Sequence, residues 1–152
     1  MLDTKFYTSS TELTYYFLQQ MKRRDSGKTL NVASTAEFQP GPLMSVYYAT
    51  KAYVLSFSEA LVEELSDSSV TVTTLCPGPT KTNFGSVASV EDTKMFSRAM
   101  AADIVAKKGY KAMMRGKRVI VTGVLNKAGA LGAKFVPRSL AAKIAKYVVG
   151  EK

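Results

Sequence analysis

The sequence predicts an α/β layer fold built on a parallel sheet, and three observations carry that prediction. Helical and strand patterns alternate along the chain in the order α-β-α-β-α-β-α. The strand segments are short and mostly apolar or β-branched, the composition of strands covered on both faces. The chain has 152 residues, 46% apolar and 22% charged, which suits one ordinary globular domain and argues against wholesale disorder or a coiled coil.

Each element follows from its own pattern. Residues 8–22 read as a helix, with Leu13, Phe17 and Met21 at i, i+4 and i+8 and Tyr16 and Leu18 beside them. Arg23 and Arg24 suit its last turn, and Gly27 supplies a stop. Residues 28–33 are a short strand. Residues 34–45 hold two prolines and a glycine, so they form a loop. Residues 46–66 read as a long helix whose apolar stripe is Ala49, Ala52, Tyr53, Phe57, Ala60, Leu61 and Leu65. Its small residues Ala49, Ala52, Ser56 and Ala60 would admit another helix closely.

Residues 70–75 are a second strand, ended by Cys76-Pro77-Gly78-Pro79. Residues 80–98 are polar and irregular, with Phe84, Met95 and Phe96 interspersed as a candidate apolar wall. Residues 99–114 return to helix along Met100, Ile104 and Met113, with Gly109 as a weak spot. Residues 118–122 are a third strand, and the Gly/Ala-rich residues 123–136 read as a strand end and a loop. Residues 138–149 are a basic amphipathic helix with Ile144, Val148 and Val149 apolar. A three-stranded sheet leaves an edge that something should cover.

Composition narrows the chemistry. The single cysteine, Cys76, excludes an internal disulfide framework and a Cys-rich zinc site. With no histidine, this chain alone builds no Ser-His-Asp triad, Cys-His dyad or His-ligated metal, and no metal site is expected. Acid–base work near neutral pH would fall to Tyr, Lys or a carboxylate. Neither a secretory signal nor an apolar run long enough to span a bilayer is expected, and the cytoplasm is the default compartment.

The net charge of +9 is unevenly spread. Residues 1–100 hold 9 Lys+Arg against 10 Asp+Glu, and residues 101–152 hold 12 against 2. The basic residues lack the aromatic interleaving of a single-strand groove, so a solvated helix face is expected rather than nucleic-acid contact.

Three features converge on one end of the sheet. Ser34 directly follows a strand. Tyr47 and Lys51 stand at i and i+4 near a helix start and project on one face. Pro77-Gly78 follows the next strand. All lie at carboxyl ends of strands, where open α/β sheets bind ligands. Taken singly, Ser34 is a capping serine, Tyr47 is helix packing with Tyr48 as its neighbour, Lys51 is solvated, and Pro77-Gly78 is a turn. Their joint order favours a site.

Asn31-Val-Ala-Ser34, thirteen residues before Tyr47 in Tyr47-Tyr-Ala-Thr-Lys51, then Pro77-Gly78-Pro79-Thr80-Lys81-Thr82, resembles the short-chain dehydrogenase/reductase family. The likeness covers about residues 8–124 and implies a partial Rossmann-like, doubly wound sheet. Residues 125–152 read as a basic C-terminal extension of the same single domain. The resemblance implies an oxidoreductase that interconverts a carbonyl and an alcohol with NAD or NADP. On that analogy Ser34 polarises the carbonyl, Tyr47 is the acid/base, and Lys51 tunes Tyr47 and holds the nicotinamide ribose. The Pro77-Gly78 turn approaches the nicotinamide, Thr80 or Thr82 bonds its carboxamide or phosphates, and Phe84 helps to wall the substrate. The chemistry is sound, because a tyrosine hydroxyl has a reference pKa of about 10 and a neighbouring ammonium favours phenolate.

The family's Gly-x-x-x-Gly-x-Gly pyrophosphate turn has no counterpart before Ser34, and the cluster Gly123, Gly129 and Gly132 has other spacing and order. The family's helix asparagine would fall near Phe6, and its ribose selector has no counterpart. The chain thus reads as the catalytic C-terminal half of a family member, truncated or split. The alternative is an inactive interaction fragment that pairs with an intact relative or a second copy through helices 8–22 and 46–66. A third reading, ranked behind both, is peripheral membrane contact through helix 138–149.

Overall fold

A computed structural model gives the architecture and describes residues 3–88, 90, 93 and 96–149. Met95 lies outside the described residues. The elements are α1 (Asp3–Arg23), β1 (Gly27–Val32), a 3-10 turn (Thr35–Phe38), α2 (Ser45–Glu64), β2 (Val70–Cys76), β3 (Thr80–Lys81) and α3 (Phe84–Val87). A second 3-10 turn (Phe96–Arg98) precedes β4 (Met100–Ala101), α4 (Ala102–Met114), β5 (Val119–Val121), α5 (Val124–Ala133) and α6 (Arg138–Val149).

The main sheet is parallel, in the order β1-β2-β5, with β2 central. Register runs from Gly27 opposite Val70 to Val32 opposite Leu75, so β1 and β2 end side by side. Central β2 is buried along nearly its whole length, as a strand covered on both faces must be. Leu18 of α1, Leu61 of α2 and Val70 and Val72 of β2 form one core cluster, with Leu65 just past α2. The opposite face carries α4. There Gly109 is no weak spot, because a Cβ on it would come 2.7 Å from Leu75 Cδ2, and the missing side chain lets α4 reach the sheet.

Several expectations are corrected. Leu13, Tyr16 and Phe17 point outward, and the sheet-facing side of α1 carries Thr14 and Leu18. Likewise Tyr53 of α2 is exposed, as are Ala49 and Ala60, while Tyr48, Val54, Ser58 and Leu61 face inward. The reason is polar. Asn31 of β1 accepts from Thr14 Oγ1 at 3.4 Å and donates to Ser58 Oγ at 2.9 Å. The inward faces of both helices therefore include hydroxyls that a hydrophobic pattern overlooks. The stop after α1 is Asp25, at φ 47, while Gly27 already belongs to β1. The expected loop at 123–136 contains α5. The irregular stretch 80–98 supplies α3 and β3, the latter paired in parallel with β4.

Candidate active site

Strands β1 and β2 deliver two turns to one place. The chain leaves β1 at Ala33, whose N–H donates to Leu75 O at 2.8 Å, and two residues on Thr35 N–H donates to Pro77 O at 2.9 Å. The Ser34 turn is thereby fastened to the Pro77-Gly78 turn.

Ser34 caps the 3-10 turn. Its Oγ accepts from Ala36 N–H at 3.1 Å, which leaves the hydroxyl proton to donate elsewhere. The Glu37 carboxylate reaches back and accepts from Ser34 N–H at 3.2 Å, completing a reciprocal capping box. The sequence places Glu37 in a loop. The spacing Ser34-x-x-Glu37 was the signal that could have found it. Burial raises its pKa to about 7, partly countered by the adjacent Cys76 thiol and by the hydrogen bond from Ser34 N–H. Its second oxygen, Oε1, is buried without a hydrogen-bond partner. Cys76 beneath it is fully buried, and its thiol is pushed well above the ordinary range by that burial and by the carboxylate.

Tyr47 and Lys51 share one face of α2. The Lys51 ammonium lies 5.7 Å from the Tyr47 ring centroid, and Nζ donates to Val32 O at 3.2 Å. Lys51 thus bridges α2 and the carboxyl end of β1. Phe84, at the start of α3, stands against Tyr47 with ring centroids 5.2 Å apart. Tyr47 also packs onto the cluster of Ala36, Tyr48 and Val149, so the Ser34 turn and Tyr47 border the same core. Tyr48 is buried and edge-on to Tyr47 at 6.1 Å, and burial pushes its hydroxyl pKa up. It is a packing residue.

The remaining candidates form the turn itself. Thr80 Oγ1 donates to Gly78 O at 2.9 Å, and Thr82 Oγ1 accepts from Phe84 N–H at 3.3 Å. Asn126 of α5 lies where a Gly78 side chain would be and donates to Thr122 O at 2.7 Å. Gly78 therefore admits α5 onto the turn. Gly129 and Gly132 lie within α5, where most amides serve the helix, so they form no phosphate cradle. A separate cavity of about 410 Å³, bordered by Glu37, Pro40, Ser45, Tyr48 and Arg138, opens beside the Ser34 turn. Among the described residues no cluster of acidic and cysteine ligands could hold a metal, and no helix is long and apolar enough to cross a membrane.

A family model described as short chain dehydrogenase matches residues 6–93. The chain is 40% identical over 70 residues to 17-beta-hydroxysteroid dehydrogenase type 3 of Mus musculus, covering 46% of this chain and 23% of that protein. A short-chain dehydrogenase of Sphingobium yanoikuyae in complex with NADPH superposes with a TM-score of 0.68 at 26% identity, over 84% of this chain and 50% of that one. A short chain dehydrogenase of Burkholderia cenocepacia in complex with NADP gives 0.71 at 22% identity, over 91% and 55%. The chain thus spans about a quarter of the curated relatives it matches and about half of the solved chains.

Proposed function

The chain belongs to the short chain dehydrogenase family, and from that membership we propose that it is the catalytic part of an NAD(P)-dependent carbonyl reductase or alcohol dehydrogenase. The observation that supports this reading most is the tilted ring contact of Phe84 with Tyr47, together with the Lys51 ammonium over the same Tyr47 ring. Bound nicotinamide would supply the hydride. Tyr47 donates a proton to the carbonyl oxygen, and the Lys51 charge stabilises the phenolate left behind. The Ser34 hydroxyl, its oxygen already held by Ala36 N–H, donates to the same carbonyl oxygen. Lys51 also orients the ribose, the Pro77-Gly78 turn borders the nicotinamide, and Phe84 walls the substrate. Thr80 and Thr82 contact the carboxamide or phosphates through hydroxyl oxygens that the turn already positions.

Fluorescence titration of NADPH and of NADH with the purified chain tests this, and the absence of Trp keeps protein emission low. Saturable enhancement that disappears in Lys51→Ala is expected. No change at millimolar cofactor overturns the reading for this chain acting alone. A second reading, an inactive fragment that pairs with a relative or a second copy, is favoured by the outward aromatic face of α1 and α2. There Tyr16 and Phe17 are exposed, and exposed Tyr53 stacks on Phe57 at 5.8 Å. Light scattering across a concentration series separates the two: a dimer without cofactor binding supports the second.

A further inference from the structure

Helices α5 and α6 turn their large apolar side chains the wrong way for a water-facing surface. On α6, Ala141, Ala145 and Val149 face the protein, while Leu140 and Ile144 are exposed. On α5 only Ala130 is buried, and Val124, Leu125 and Leu131 are exposed. Phe135, in the connection between the two helices, is 81% exposed. An ordinary surface helix does the reverse. Isolated exposed apolar residues need no explanation, but a run of them over two consecutive helices does.

Within the segment itself the charges have one sign. Residues 124–149 contain Lys127, Lys134, Arg138, Lys143 and Lys146 and no Asp or Glu. We propose that α5 and α6 form a docking surface for an anionic lipid bilayer. Neither helix is long enough to span, at 10 and 12 residues, so both would lie in the headgroup plane with apolar side chains inserted. Lys and Arg stems extend past the apolar side chains and set their charges among lipid phosphates. Charge complementarity selects this occupant. A second copy docked on the same face would bring five like cations against these five. A nucleic-acid backbone would match the cations but leave Leu131, Phe135, Leu140 and Ile144 in water.

Co-flotation of the full chain with vesicles tests the proposal. Phosphatidylcholine vesicles containing phosphatidylserine should retain the protein at low salt. Pure phosphatidylcholine should retain it at least tenfold less, and 1 M salt, with a Debye length of about 3 Å, should release it. Lys143→Glu should weaken binding at least fivefold, since each cation near an anionic surface is worth about 1 kcal/mol. Leu131→Ser/Phe135→Ser should weaken it comparably at low salt. Both variants alter only exposed positions, and an unchanged circular dichroism spectrum checks their fold. Absence of vesicle binding, equal binding to neutral vesicles, or binding unaltered in both variants overturns the proposal. So does concentration-dependent self-association that these variants abolish.

Discussion

Helices α2 and α6 are both amphipathic, yet they hold to the protein in opposite ways. Into the protein α2 turns Tyr48, Val54 and Leu61, while α6 offers Ala141, Ala145 and Val149 and leaves Leu140 and Ile144 outside. Burying a Leu or Val contributes about 1.5–3 kcal/mol, and an Ala methyl contributes well under half of that. Helix α2 is therefore fixed by packing and makes a rigid support for Tyr47 and Lys51. Helix α6 is fixed weakly, and its docking onto Tyr48 through Val149 belongs to the low-stability end of the molecule. Position is what a catalytic constellation needs, whereas a surface that meets a pliable partner tolerates looser anchoring.

Four substitutions test that contrast, in descending size. On the proposed reading, Tyr47→Phe removes the proton donor without touching the sheet-facing side of α2, so carbonyl reduction should fall about 10²–10⁴-fold while thermal unfolding stays in place. Steady-state oxidation of the reduced cofactor measures the first and calorimetry the second. Leu61→Ala empties part of the core between α1, α2 and β2 and should cost about 2–5 kcal/mol in urea unfolding.

Glu37→Gln acts through pH. The folded protein holds the Glu37 proton up to about pH 7, against a reference of 4.5, so native chains bind more protons than unfolded ones between those values. Stability should accordingly fall as pH rises from 4.5 to 7 and stay low above it. Gln carries no such proton, so the variant should be about 3 kcal/mol more stable than wild type at pH 8 and nearly equal at pH 4. Paired denaturant curves at the two pH values read this directly, and the chain has no histidine to add its own transition there. The smallest effect belongs to α6. Ile144→Ser should change stability by no more than about 0.5 kcal/mol, and a larger loss would mean that α6 packs as tightly as α2.

The order α1, β1, α2, β2, α4, β5 and α6 was legible because each of these carries its own period, whereas β3, α3, β4 and α5 were not. The family resemblance and the positions of Ser34, Tyr47 and Lys51 relative to strand ends were legible too, since spacing alone fixes those. What the sequence hid has three physical causes. In α1 and α2 two apolar faces compete, and Asn31 draws the face with Thr14 and Ser58 inward. In α5 the glycines read as breakers, yet Gly129 and Gly132 sit on an open side, where glycine costs about 1 kcal/mol each without breaking the helix. Glu37 is inconspicuous in the sequence because a carboxylate in a proline-rich loop looks solvated, and only its capping role takes it below the surface.

Cys76 turns the packing of this site into something that can be timed. It is the sole thiol in 152 residues, and none of its surface meets solvent. A maleimide can reach it only during moments when the end of β2 separates from its neighbours, so the labelling rate is the intrinsic rate multiplied by the open fraction. The chain therefore carries its own stopwatch beneath Ser34. Labelling with and without nicotinamide would report, from a single atom, how often the turns at the sheet edge come apart and whether a bound cofactor keeps them closed.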